Sequence, residues 1–291
     1  MFSGVYTAIV TPFTREGGVD TERLNALVDA QVAAGVAGLV PVGTTGESPT
    51  LDLDEHIDVI RQVHARAAGR VQVVAGTGGN ATAEALELTE AAREMGCDAT
   101  LQVTPYYNKP SDAGLIAHFQ KIADVGLPVM LYNVPGRAGK ELSLDVIAAC
   151  AEHPGIVAVK EAGGSVDRVS QILTRLPGMQ VLSGDDPLTL PMMVLGACGV
   201  VSVASNVIPE RVVALVKAAM AGDWAAARKI HLENHSLFQT LLTLQTNPLP
   251  VKTALAMLGR VEEVFRLPLC PMDAQTRPVL EAALKKAGVL A

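Results

Sequence analysis

Short apolar runs, rich in β-branched residues, recur along the first two-thirds of the chain. Most are continuously apolar rather than alternating, which is typical of strands buried on both faces. Segments with helical periodicity, such as residues 21–34, 55–68 and 83–95, lie between them. We predict eight strands, at residues 5–10, 38–42, 71–75, 99–103, 129–132, 156–160, 180–183 and 200–203.

Eight alternating strands and helices predict an α/β fold of the (β/α)8 barrel type. A doubly wound sheet is the alternative, but such folds usually have fewer repeats and a glycine-rich nucleotide turn. From residue 224 onward the pattern becomes helical. We therefore expect a catalytic barrel at residues 1–223 and a C-terminal helical extension, residues 224–291, packed on it.

Helix starts are marked by short polar residues. Asp52 with Glu55 predicts a capping box, and Ser143 and Ser165 are expected to be N-caps of two further helices.

Composition narrows the class of protein. Of the 291 residues 49% are hydrophobic and 3% aromatic, so a large core must consist mainly of small aliphatic side chains. The net charge of −7, without a basic run, argues against nucleic acid or an anionic membrane as partner. Four widely spaced cysteines suit reduced thiols in a cytoplasmic protein. The N-terminal segment has no basic region followed by an apolar stretch, so no secretion signal is expected.

Residues 187–209 contain no charged side chain. Prolines, glycines and serines interrupt this segment, which therefore predicts a buried helix followed by a strand rather than a membrane span.

In a (β/α)8 barrel the active site lies at the carboxyl ends of the strands. This rule selects a short set of candidates: the turn at residues 43–47 (the 43–47 turn), Tyr106 and Tyr107, Tyr132 with Arg137, Lys160, and the turn at residues 183–186.

Lys160 ends an otherwise apolar strand. Burial lowers the pKa of a lysine, and a neutral amine can attack a carbonyl carbon to form a Schiff base. The alternative is a structural ion pair with Glu161. The other lysines are expected to be solvated, on polar helix faces or in loops.

Three of the four tyrosines follow predicted strands four and five. Tyr106, Tyr107 and Tyr132 could relay protons in Schiff-base chemistry, or they could simply plug the barrel rim.

The 43–47 turn offers backbone N–H groups and the hydroxyls of Thr44 and Thr45, which suit a substrate carboxylate. It lacks the lysine of a phosphate-binding loop. Arg137 could hold a second carboxylate, or it could be an ordinary surface arginine.

No metal or organic cofactor is expected. His231 and His235 lie one helical turn apart but have no third ligand nearby in the sequence. Asp185 and Asp186 are consistent with a helix cap as well as with a cation site. No dinucleotide-binding glycine motif follows the first strand.

Taken together, seven ordered segments resemble the dihydrodipicolinate synthase / N-acetylneuraminate lyase family of class I aldolases. These are residues 7–13, 43–48, 75–80, 104–110, 132–137, 160–161 and 183–186. The chain is most similar to members that condense pyruvate with L-aspartate 4-semialdehyde on the lysine and diaminopimelate pathway.

The resemblance implies a role for each matching residue. Lys160 would form the imine with pyruvate, and Tyr132 and Thr44 would form a proton relay completed by Tyr107 of a neighbouring subunit. Thr45 would position the pyruvate carboxylate and Arg137 the carboxylate of the semialdehyde. Gly184 and Val201 would line the pocket; isoleucine is often found where Val201 stands. The shared relay implies an oligomer, typically a tetramer of two tight dimers.

The resemblance also implies an allosteric site for L-lysine, formed by Ser48, His56, Asn80, Glu84 and Tyr106. Leu53 and Pro49 depart from the histidine and alanine found in some lysine-sensitive members, so weakened feedback inhibition is expected.

Two other functions remain open at this point. One is a related pyruvate-dependent sugar-acid aldolase or lyase, of the N-acetylneuraminate or 2-keto-3-deoxy-gluconate type, against which Arg137 argues. The other is a ligand-binding barrel without catalysis, which would be expected to lack the lysine or a tyrosine.

Overall fold

The computed structural model describes residues 2–290. Eight parallel strands close into a barrel in chain order, with the last strand paired to the first. The strands are β1 (Gly4–Ala8), β2 (Gly38–Val40), β3 (Gln72–Gly76), β4 (Ala99–Val103), β5 (Val129–Asn133), β6 (Ile156–Glu161), β7 (Gln180–Ser183) and β8 (Gly199–Ser202). The predicted (β/α)8 barrel is confirmed.

Twelve α-helices lie within residues 2–290. They are α1 (Thr21–Ala34), α2 (Leu53–Ala67), α3 (Thr82–Met95), α4 (Asp112–Ala123), α5 (Pro135–Ala138), α6 (Leu144–Ala151), α7 (Asp167–Arg175), α8 (Thr189–Val194), α9 (Pro209–Met220), α10 (Trp224–Thr243), α11 (Leu249–Met257) and α12 (Arg277–Lys286). Single 3-10 turns occur at Thr44–Gly46, Ser48–Thr50, Asp186–Leu188 and Ala204–Asn206.

Strand ends differ slightly from the predicted ones. The second strand stops at Val40, two residues early, because Pro41 has no N–H to continue the ladder and Val42 has a positive φ of 53°. Residues 187–209 form helix α8 and strand β8, as predicted. No helix among the described residues is both long and apolar enough to cross a membrane.

Two of the three predicted helix caps are confirmed. Asp52 and Glu55 form a reciprocal capping box at α2, and the Ser143 hydroxyl accepts from the Val146 N–H at α6. The prediction for Ser165 is wrong. Val166 occupies the N-cap position of α7, so Ser165 lies one residue too early to bond to the free N–H groups of the first turn.

The core has two parts, as the alternation of side chains along each strand requires. Apolar side chains on the outer face of the strands pack against the surrounding helices. The barrel interior is filled by a second cluster that includes Tyr6, Val40, Val74, Leu101, Met130, Ala158, Leu182 and Val201. Because this cluster closes the barrel, a substrate can approach only from an end.

Candidate active site

Lys160 lies at the carboxyl end of β6, between Tyr132 of β5 and Leu182 of β7 in the strand register. Its side chain points into the barrel with Ala158, and only 6% of the residue is exposed. The Nζ atom lies 3.9 Å from the centroid of the Tyr132 ring. The amine therefore stands at the top of the packed interior, against a phenol, where a small substrate could reach it.

Glu161 faces the other side of the sheet. Its carboxylate accepts hydrogen bonds from Asn133 Nδ2 at 2.8 and 3.0 Å and from the Gly163 N–H at 2.7 Å, and it lies 3.6 Å from Arg168 Nε. Burial raises the pKa of Glu161, and the hydrogen bonds to its carboxylate oppose the rise. The geometry does not support the alternative of a Lys160–Glu161 ion pair.

The 43–47 turn follows β2 and crosses the barrel mouth. Thr44–Gly46 form one 3-10 turn, and the Thr11 hydroxyl donates to the Gly46 carbonyl at 2.7 Å. Val42 and Glu47, on either side, have φ values of 53° and 57°. Residues other than glycine rarely adopt this left-handed backbone conformation, which costs about 1–3 kcal/mol for each residue. Surrounding contacts must therefore hold the turn in place.

Asn247 connects the two groups predicted to bind carboxylates. Its side-chain Nδ2 donates to Thr45 Oγ1 at 3.0 Å, and its backbone carbonyl accepts from Arg137 Nη2 at 3.0 Å. Asn247 Oδ1 is buried without a hydrogen-bond partner among the described residues. Asn247 was not among the predicted site residues, because it precedes α11 and does not stand at a strand end. The one feature of the sequence that marks Asn247 is that it is a polar residue directly before Pro248.

The turn after β7 passes close to the lysine. A Cβ added at Gly184 would lie 2.6 Å from Ala162 Cβ and 3.1 Å from Lys160 Cε, so only glycine fits without displacement. Burial raises the pKa of Asp185 to about 6, although the charge of Lys160 opposes this. Asp186 accepts from the Ser202 hydroxyl and from the N–H groups of Val203 and Ala204, which fixes the loop after β8.

Two adjoining cavities open at this end of the barrel. The first, of about 170 Å³, contains Lys160; the second, of about 220 Å³, extends toward Ser48 and Tyr106. Both are lined by Gly43, Thr44, Leu101, Tyr132, Val134 and Arg137. Thr45, Gly184 and Asp185 line the first cavity, as does Val203. Val201 is fully buried in the barrel interior, below the cavity-lining residues.

Tyr107 is not brought to the site within one chain. It is 90% exposed, and its φ of 71° holds it in a left-handed conformation on the loop after β4. Its neighbour Tyr106 lines the second cavity.

Two of the five residues predicted to bind L-lysine line the second cavity. Ser48 and Tyr106 line it, and buried His56 bonds through Nε2 to the Gly76 carbonyl at 2.7 Å. The Asn80 carbonyl accepts from Asn108 Nδ2 at 2.9 Å. The charge of Glu84 contributes to a raised pKa of Tyr106, after the larger effect of burial.

One expectation about the lysines is wrong. Lys252 is fully buried, not solvated, because it forms an ion pair with equally buried Glu47. His231 and His235 have ring centroids 5.3 Å apart on α10. Within residues 2–290, no group of three or more histidine, cysteine, aspartate or glutamate side chains is arranged to hold a metal.

Comparison with known proteins gives a consistent result. The model of the dihydrodipicolinate synthetase family matches residues 1–287. The chain is 50% identical over 289 residues to the 4-hydroxy-tetrahydrodipicolinate synthase of Geobacter sulfurreducens, covering 98% of this chain and 99% of that one.

Solved structures are similar over the whole chain as well. The chloride-inhibited dihydrodipicolinate synthase of Acinetobacter baumannii, complexed with pyruvate, has a TM-score of 0.97 and 43% identity, covering 100% of both chains. The enzyme of Cyanidioschyzon merolae, with lysine bound, has a TM-score of 0.95 and 40% identity, covering 99% of both.

Proposed function

The chain belongs to the dihydrodipicolinate synthetase family, and we propose that it condenses pyruvate with L-aspartate 4-semialdehyde through an imine on Lys160, giving 4-hydroxy-tetrahydrodipicolinate. The observation that carries this proposal is the position of Lys160. Its amine is buried at the carboxyl end of the barrel, against the ring of Tyr132 and inside a cavity that Thr45 and Arg137 also line.

The steps follow from the chemistry of an amine and a keto acid. Lys160 Nζ attacks the keto carbon of pyruvate, and the resulting carbinolamine loses water to give an imine. Loss of a methyl proton gives an enamine, whose carbon attacks the aldehyde of the second substrate. The amino group of that substrate then displaces Lys160 and closes the ring. One water is released overall, and the protonated imine serves as the electron sink.

Substrate orientation is assigned to residues around the lysine. Thr45, held by Asn247, positions the pyruvate carboxylate, and exposed Arg137 at the cavity mouth binds the carboxylate of the semialdehyde. Gly184 leaves room beside Lys160, and Val201 closes the cavity from below. Tyr132 and Thr44, which line the same cavity, form the proton relay.

Tyr107 completes the relay from a second copy of the chain. Its exposed side chain and left-handed backbone leave it unused within one chain, while the second cavity beside Thr44 and Tyr132 is open. A ring supplied by a second copy fits this arrangement. We propose a homotetramer built from two such dimers, active in the cytoplasm, where its four free cysteines stay reduced.

L-Lysine is proposed as a feedback inhibitor at Ser48, His56, Asn80, Glu84 and Tyr106. Lysine is bound in the structure of the relative from Cyanidioschyzon merolae, and here Glu84 could pair with an ammonium group. Because Leu53 and Pro49 depart from the usual residues, inhibition should be weaker than in sensitive members. A rate that is unchanged at millimolar L-lysine contradicts this part of the proposal.

The test is a coupled assay with pyruvate, L-aspartate 4-semialdehyde, the downstream reductase and NADPH, run beside Lys160→Ala. Wild-type turnover and an inactive but folded variant are expected. Borohydride should trap a pyruvate adduct on Lys160 in the wild type alone. An adduct without turnover would point to another aldehyde as acceptor. The absence of both turnover and adduct would overturn the assignment.

A further inference from the structure

Glu47 and Lys252 form an ion pair that is wholly removed from solvent. Both side chains have 0% exposure, and Lys252 Nζ bonds directly to Glu47 Oε1. The ammonium also donates to the Val264 carbonyl at 2.8 Å and lies 4.3 Å from the Phe13 ring centroid. The second carboxylate oxygen of Glu47 accepts from the Arg266 N–H at 3.3 Å. Every contact of the pair is therefore with protein.

Glu47 is the last residue of the 43–47 turn, two residues after Thr45. Its N–H donates to the Thr44 carbonyl at 3.1 Å, and its left-handed φ of 57° is one of the two unusual conformations that shape the turn. A conformation of this kind persists only where surrounding contacts determine it. The bond to Lys252 is the strongest such contact on this residue, because both groups are charged and dry.

Lys252 lies in the first turn of α11, five residues after Asn247. Its N–H donates to the Pro248 carbonyl at 3.0 Å, so lysine and asparagine belong to one rigid segment. Asn247 bonds in turn to Thr45 and Arg137. The start of α11 is thus fastened to the 43–47 turn at Glu47, and it touches both residues assigned to substrate carboxylates.

Stability alone does not explain such a pair. Removing two charges from water is unfavourable, and replacing a buried ion pair by apolar residues of similar size is often neutral or stabilising. The cost of removing the ammonium from water also lowers the pKa of Lys252, and the charge of Glu47 opposes this shift. What the pair supplies, and an apolar contact does not, is a bond of fixed direction.

We propose that Glu47 and Lys252 are positioning residues, which hold Thr44, Thr45 and, through Asn247, Arg137 in the geometry that the reaction needs. This inference rests on the function proposed above. Neither residue lines the cavity around Lys160, so neither touches substrate. Lys160 itself stands on β6, outside the segment that the pair holds. Loss of the pair should therefore weaken substrate orientation and raise the pyruvate concentration that imine formation needs, without abolishing the imine.

The test is the double variant Glu47→Gln/Lys252→Met, which removes both charges and nearly preserves volume. Its thermal unfolding should stay close to that of the wild type. Its kcat/KM for pyruvate should fall about 10- to 100-fold, the effect expected from misplacing positioning groups by an ångström. The KM values for both substrates should rise and kcat should fall. Borohydride should still trap pyruvate on Lys160, with a higher half-saturating pyruvate concentration.

The matched control is Glu281→Gln/Lys285→Met, which removes an exposed ion pair of α12 by the same two replacements. Its kcat and KM values should equal those of the wild type. Wild-type kinetics in Glu47→Gln/Lys252→Met overturn the proposal, and so does its failure to fold, because the pair would then act through stability alone. If the wild type lacks turnover, the proposed function fails, and the half-saturating pyruvate concentration for trapping still decides the role of the pair.

Discussion

Gly184 illustrates how tightly the surroundings of Lys160 are determined at the scale of single residues. Its backbone passes so near the lysine that an added methyl would contact Lys160 Cε at 3.1 Å. On the other side of the lysine, the Tyr132 ring lies 3.9 Å from Nζ. The amine is thus held between a glycine backbone and a phenol. Such confinement favours one direction of attack on a bound carbonyl.

Asp185 carries a prediction about pH. Its carboxyl group has a pKa of about 6 in the folded chain against 3.8 in the unfolded one, chiefly because of burial. As pH rises from 4 to 6 the unfolded chain gives up this proton more readily, so the folded state loses stability, which stays lost above pH 6. At pH 7.5 we expect the free energy of unfolding of Asp185→Asn to exceed that of the wild type by on the order of 2 kcal/mol, since this group is only half-buried.

Urea unfolding of both proteins at pH 7.5 and pH 4.5 measures the difference. The advantage of the variant should shrink at the lower pH. Equal stability at pH 7.5 would contradict a raised pKa of Asp185, because the opposing charge of Lys160 is already part of that value.

At the scale of elements, the contact between α3 and α4 contains a buried histidine. His118 of α4 shares a hydrogen bond of 2.9 Å between Nδ1 and the Thr82 hydroxyl of α3. Burial lowers the pKa of His118 from 6.5 to about 4. The unfolded chain therefore takes up this proton first as pH falls, and the folded state should lose about 3 kcal/mol between pH 6.5 and pH 4.

His118→Asn removes this titration and keeps an oxygen that accepts from Thr82. Unfolding free energies at pH 7.5, 5.5 and 4.5 should show the wild type ahead at the highest pH and losing that lead as pH falls. A constant difference across the three pH values would contradict the assigned cause.

The elements also explain how far the sequence alone leads. Lys160 and Tyr132 could be placed together because both end apolar runs, and parallel strands bring their carboxyl ends to one rim. Asn247 could not, since it acts from the start of a helix far along the chain and its partners are fixed only by tertiary packing. The same holds for Lys252, whose helix pattern does not reveal the buried carboxylate of Glu47. Sequence periodicity specifies which face of each helix or strand is apolar, whereas contacts between distant segments depend on how those faces pack.

At the scale of the whole molecule, residues 1–223 and 224–291 are connected through the active site. Asn247 and Lys252 of the second segment bond to Thr45 and Glu47 of the first, and Arg266 bonds through its guanidinium to Glu55 of α2 at 2.6 Å. We propose that the extension folds as one unit with the barrel, because its polar groups complete the 43–47 turn. A barrel truncated at residue 223 would leave the Glu47 carboxylate without its cation and without the N–H of Arg266.

The position of Tyr107 concerns the assembly of more than one chain. Its phenol is 90% exposed on a left-handed backbone, while its neighbour Tyr106 lines the open cavity of about 220 Å³. These observations support the proposal that another copy completes the site. If so, Lys160 and Thr44 of one chain work with Tyr107 of its partner. Two chains with different defects could then assemble one intact site.

This arrangement predicts complementation between variants. Tyr107→Phe should be slow and Lys160→Ala inactive when each is assayed alone. After unfolding and refolding as a mixture, a hybrid dimer contains one site with an intact Lys160 and Thr44 from the first chain and Tyr107 from the second, so activity should rise above the sum of the separate proteins. A mixture of Thr44→Val with Lys160→Ala is the control, because both residues belong to the same chain and no hybrid site regains both. Activity that stays additive in the first mixture, while hybrids are detected by mass, would place Tyr107 outside the partner's relay.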